Sequence, residues 1–138
     1  MRFVLPLGLV AAVLFSSTTA AAQIYEEAAA SGVKPTTQAE FFDCALFTDA
    51  WAQSLDPNFH GPGSGIWDGG WLSKQNPAVQ LPAAADTARK WHEKTKASYA
   101  KSGKLKEFAS EWENRRKFEL IALDWRFFFK KLGECQLP

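Results

Sequence analysis

Arg116 is the side chain with the most to explain chemically. It takes the next helical position after Leu105, Phe108 and Trp112, where another hydrophobe is expected, and Glu119 follows three residues later. A guanidinium on a covered face must find an acceptor. It either binds an anion or carboxylate in a cleft between helices, or it pairs within the protein with Glu119, Glu40 or Asp43. Arg115 and Lys117, off that stripe, are read as solvated. Glu119 with Glu40 or Asp43, brought together by the fold, would offer the two carboxylates of a small hydrolase such as a glycosidase, with Arg116 beside them; their separation is not readable from sequence. His92 and His60 are the candidate general bases or metal ligands. Neither has a second His or a carboxylate at i+3 or i+4 on a matching face, so no metal and no other cofactor is expected. The chain carries no G-x-S-x-G, H-E-x-x-H or P-loop signature.

Two further clusters suit binding rather than catalysis. Trp67 and Trp71, with Asp68, Gly69 and Gly70 between them and His60 nearby, combine flat rings with open backbone, a surface that can stack on sugars or peptides. Alternatively both rings cap the core. Lys94, Lys96, Lys101, Lys104 and Lys106 crowd one short region, where they either meet an anionic surface such as lipid phosphate or form a solvated helix face.

The elements that must position these groups are helical. Thr37 with Glu40 makes a capping box, and the helix that follows reaches Leu55, with Phe41, Cys44, Ala45, Thr48, Trp51, Ala52 and Leu55 on one face and Phe42, Leu46 and Phe47 widening it. Asp56-Pro57 ends it. Residues 56–77 hold five glycines and three prolines and form a long loop, whose Phe59, Ile66, Trp67, Trp71 and Leu72 should in part dock back on the helices. A second helix over 83–102 buries Ala84, Ala88, Trp91, Thr95 and Tyr99, with His92 and Ala85 at the margin, and Gly103 caps it. The third, 105–132, contains no Gly or Pro and reads as one rod. Leu105, Phe108, Ala109, Trp112, Leu123 and Phe127 form one stripe; Phe118, Ile121, Ala122, Trp125, Phe128, Phe129 and Leu132 form the other. A rod apolar on two sides would be the central element, antiparallel to its predecessor and ended by Gly133. The segment before Lys34 is either one or two helical turns or a frayed leader, with Gly32 placed to stop it. The expected fold is all-α: a small bundle of three main helices.

Residues 1–22 read as a signal peptide, with Arg2, an apolar run from Phe3 to Phe15 and an A-x-A site at Ala20-Ala21-Ala22, leaving 23–138 as a single domain with no membrane span. In an oxidising compartment the two cysteines, Cys44 and Cys135, should pair and tie the early part of the first main helix to the end of the last. Beyond the signal, 15 basic residues balance 15 acidic ones, but 23–88 carries two basic and eight acidic residues while 89–138 carries thirteen and seven. The simplest use of that asymmetry is charge pairing between early and late helices. Zero net charge and export argue against nucleic acid as a partner. The expected function is that of an exported, periplasmic or secreted, binding protein, monomeric or weakly oligomeric, engaging a protein or cell-envelope ligand in an inhibitor, immunity or stress-protective role. The alternative is the small envelope hydrolase.

Overall fold

The structure, a computed structural model, describes residues 18–56, 58, 77–122 and 124–136. Those residues form five α-helices and no strand: α1 (Thr18–Ala30), α2 (Gln38–Leu55), α3 (Ala83–Lys101), α4 (Leu105–Ala122) and α5 (Trp125–Glu134), with a 3-10 turn at Pro77–Val79 before α3. Among them no helix is long and apolar enough to cross a membrane.

The helix boundaries follow local chemistry. Thr37 caps α2 by accepting from the Glu40 amide at 3.2 Å, while Glu40 reaches back to the Thr36 amide at 2.8 Å, one residue earlier than in the usual box. Gly103, at φ 71°, ends α3: its amide donates to Ala100 O at 3.1 Å and the Lys104 amide to Tyr99 O at 2.8 Å, the paired bonds of a Schellman turn. Gly32, at φ 76°, closes α1 in the same left-handed region. The N-terminal segment is therefore helical. The helix runs through the expected cleavage point, so a chain cut after Ala22 loses that buried residue and keeps buried Tyr25 and Ala28.

The centre of the molecule is α2, and not the C-terminal helix that the sequence pattern singles out. Phe42, Cys44, Ala45, Leu46, Phe47, Thr48 and Trp51 are all buried along it. Phe42 packs with Tyr99 and Phe108 near one end; Cys44 and Ala45 pack with Trp91 and Cys135 in the middle; Phe47 and Trp51 pack with Tyr25, Phe128, Phe129 and Leu132 at the other end. Rings meet mostly edge to face there, as between Phe47 and Phe128 at 5.7 Å and Trp51 and Phe129 at 5.8 Å. The covered face of α3 is the one its spacing predicts: Ala84, Ala88, Trp91, Thr95 and Tyr99. Gln38 at the start of α2 bonds Ser98 and Ser102 at the end of α3, so the two helices run antiparallel.

The single rod is the expectation that fails. It is divided at Asp124, whose backbone is extended (ψ 130°) and whose carboxylate accepts from the Arg126 amide at 3.1 Å, which makes it the N-cap of α5. Geometry requires a break. Arg115 on α4 lies level with Asp43 on α2, bonded to it at 2.7 Å, and twenty residues of straight helix beyond Arg115 would carry Cys135 about 30 Å further on. Yet Cys135 is joined to Cys44, with 5.3 Å between Cα atoms. The chain must turn, and Asp124 supplies the turn. Three described positions on the predicted stripes are exposed: Leu105 at 44%, Ala109, and Phe127 at 45%, the last still edge-on to Phe47 at 5.9 Å.

The disulfide forms as expected, across 91 residues of sequence, a loop whose closure stabilises by about 4 to 5 kcal/mol in the chain-entropy account. Trp91 Nε1 donates to Cys135 O at 3.2 Å and fixes the backbone beside it.

Gly133 does not end the last helix. It lies inside α5 where α1 crosses: a Cβ there would run into the backbone oxygen of Tyr25 and come within 2.7 Å of the Ala28 methyl. Gly133→Ala should therefore force α1 and α5 apart and lower stability by about 1 to 3 kcal/mol, read as a lower urea midpoint with an unchanged slope. An unaltered midpoint would mean that the two helices do not meet this closely.

Candidate functional site

A cleft of about 320 Å³ lies among the described residues where α1, α2, α3 and the end of α5 converge. Its walls are apolar, from Trp51, Val79, Ala84 and Leu132. Several polar groups that line it are already satisfied by the protein. Trp51 Nε1 donates to Val79 O at 2.9 Å, which also ties the 3-10 turn to α2, and the Thr48 hydroxyl donates to Cys44 O at 2.6 Å. What they offer the cleft is ring and methyl.

Tyr25 is different. Only 4% exposed, its phenol oxygen accepts from Gln136 Nε2 at 3.4 Å, and Gln136 is itself steadied by Gly133 O at 2.7 Å. No described residue accepts the Tyr25 proton, which leaves one donor in an apolar cleft. At the rim Asp86 is gripped by Arg89 at 2.5 Å and Lys90 at 3.1 Å. The hydrogen bond from Arg89, then that from Lys90, holds its carboxyl below the usual aspartate range, so it stays ionised and is no proton donor at neutral pH.

The residues singled out in the sequence fall elsewhere. Trp67, Trp71 and His60 lie outside the described residues. Arg116 and Glu119 are on α4, with side chains that also lie outside them. Asp43 is on α2 and its partner is Arg115, so Arg115 is not a solvated bystander: the pair is about a third exposed at each end, and the guanidinium sits 4.7 Å over the Phe42 ring. This contact joins the acidic early part of the chain to the basic late part, and it engages one of the carboxylates proposed for hydrolysis. His92 packs edge-on against Trp112 at 4.9 Å and Phe108 at 5.2 Å and lines a separate, shallower groove with Asp49, Asp56 and Arg89. It is not brought to Asp43. Among the described residues no group of three His, Cys, Asp or Glu side chains is placed to hold a metal.

Sequence reasoning missed Tyr25, Thr48 and Gln136 as site residues. Gln136 has no periodicity to mark it; the disulfide next to it is the signal that its position is fixed. Tyr25 sits among alanines and glutamates in a segment whose helicity was itself open.

The chain matches no protein-family model, no curated protein and no solved structure. What the cleft does is read from its own atoms.

Toward the other end of α3 from this site, Tyr99 donates to Glu111 Oε2 at 2.7 Å and packs on Phe42 and Phe108. Burial, reinforced by that hydrogen bond and the Glu111 charge, pushes its phenol up to about 12 from 10.0. The folded state thus favours the neutral phenol. That contribution is whole below pH 10 and is lost as pH rises toward 12. Stability should fall across this interval, less steeply in Tyr99→Phe than in wild type, and the tyrosinate absorbance of the native protein should show a tyrosine ionising near 12 that the variant lacks. Equal slopes for the two proteins would rule the assignment out.

Proposed function

We propose that this chain is an exported binding protein whose cleft takes a small, largely apolar group bearing one oxygen acceptor. That group belongs to a cell-envelope component or is presented by a protein partner. The observation that carries this reading is the buried Tyr25 phenol, which lines an apolar cleft and has a proton to give. A volume near 320 Å³ is the lower end of small-ligand sites and has room for on the order of ten non-hydrogen atoms at the roughly 30 Å³ one water occupies in the liquid. Export is supported by the apolar N-terminal run, the A-x-A motif and a disulfide, a bond that persists in oxidising compartments. An inhibitor, immunity or stress-protective role is consistent with such a cleft. The hydrolase reading draws less support, because Asp43 is held by Arg115 and His92 faces another groove.

The test compares two probes of closely similar shape, acetophenone and its hydrocarbon isostere α-methylstyrene, titrated against the purified protein by two-dimensional NMR. Both should perturb the amides around Trp51 and Ala84, with the ketone binding more tightly. Tyr25→Phe should remove that preference, a loss of about five- to tenfold for the ketone alone, as for one hydrogen bond of about 1 kcal/mol or slightly more. Thr87→Trp, which fills the cleft from its margin, should abolish both. Absence of any shift at millimolar probe, or a preference that survives Tyr25→Phe, would refute the proposal.

A further inference from the structure

The cleft lies at one end of α3; the other end carries a different kind of surface. Between Lys94 and Lys106 the chain has five lysines and no acidic residue. Three of them, Lys101, Lys104 and Lys106, surround Leu105 at the turn from α3 to α4, and all four residues are exposed. Among the described residues none of the three lysines forms an ion pair. The nearest acid in sequence is Glu107, on the first turn of α4.

This tip is firmly built. The Schellman bonds from Gly103 and Lys104 fix the backbone, and beneath it Phe42, Tyr99 and Phe108 pack together. Leu105, 44% exposed, is thus presented on a turn whose backbone is fixed, with Lys104 and Lys106 on either side of it in sequence. We propose that the α3–α4 turn is a membrane-docking tip that seats on a bilayer face rich in anionic phospholipid. The lysine ammoniums would lie at the level of the phosphates, while Leu105 enters the boundary between headgroups and acyl chains.

The chemistry favours lipid over other polyanions. A single-stranded nucleic acid is met by aromatic side chains on which its bases stack, and the tip from Lys101 to Lys106 has none, only an aliphatic Leu105. A bilayer presents both things the tip complements, a layer of negative charge and an apolar interior just below it. Nineteen residues of α3 set the tip about 28 Å from the helix end that forms the cleft, so docking would hold the cleft away from the membrane. The proposal does not depend on what the cleft binds.

The experiment is co-sedimentation of the purified chain with vesicles of phosphatidylcholine alone or mixed with phosphatidylglycerol. Wild type should partition to the mixed vesicles and weaken as salt rises from about 50 mM through the range where screening is strong. The triple variant Lys101→Gln, Lys104→Gln, Lys106→Gln should bind the mixed vesicles about a hundredfold less, at roughly fivefold per lysine near the surface. Leu105→Ser should lose severalfold, chiefly at high salt. All proteins share the apolar N-terminal run, whose own partition is read from binding to phosphatidylcholine alone and subtracted before they are compared. Equal binding to both vesicle types by wild type, or a triple variant that binds as wild type does, overturns the proposal. So does release of wild type from the vesicles by millimolar inorganic phosphate or by duplex DNA, which would assign the tip to a soluble anion or a nucleic acid. Because these substitutions lie far from the cleft, ketone binding measured on the same variants should be unchanged, which separates failure of the tip from failure of the cleft.

Discussion

The bond between Cys44 and Cys135 is the constraint from which the rest of the arrangement follows. It fixes the end of α5 against the first half of α2, at a level where α4 has already passed Asp43. A chain obeying both facts cannot continue straight from α4, so the break at Asp124 is a geometric necessity and not a local accident. Once α5 turns, Phe128, Phe129 and Leu132 fall on Phe47 and Trp51, Gly133 meets Tyr25 and Ala28, and α1 is clamped to the bundle. The cleft is the space that α1, α2 and α5 enclose with the start of α3, and Cys135 and Gln136 are part of its wall.

Much of this was legible in the residues, and the failures are instructive. The all-α class, the bounds of α2 and α3, the five buried positions of α3, the glycine caps at Gly32 and Gly103 and the cysteine pairing all follow from periodicity and capping, which act within a few residues. A single rod does not form, because the two stripes change side where the helix breaks. The first stripe ends in charged residues near Arg115, and the second resumes after an aspartate that prefers the extended backbone of an N-cap to the interior of a helix. The expectation of a disulfide was in conflict with an unbroken rod from the start, given that α2 and α3 lie antiparallel. Reading the two together would have located the turn.

The site was less legible because it depends on contacts remote in sequence. Tyr25 and Gln136 are 111 residues apart and meet only because α1 lies on α5. The charge asymmetry was readable in principle, and the Asp43–Arg115 pair is one realisation of it, but the choice of Arg115 rests on which side of α4 faces α2. Apolar count placed the stripe on the Arg116 side. The packing of Phe42 beneath the Arg115 guanidinium shows that a cation over a ring can satisfy a partly covered position as well as a hydrophobe does.

The lone disulfide also shapes how the molecule can be made. With two cysteines in this sequence there is one intramolecular pairing available, so oxidation within a single molecule cannot join the wrong pair. The helices around α3 are assembled from near neighbours in sequence, whereas the sulfurs are separated by most of the domain. Biogenesis therefore calls for an electron acceptor to close the bond but for no isomerase to correct it, and a host lacking the correcting enzyme should still yield the native covalent structure.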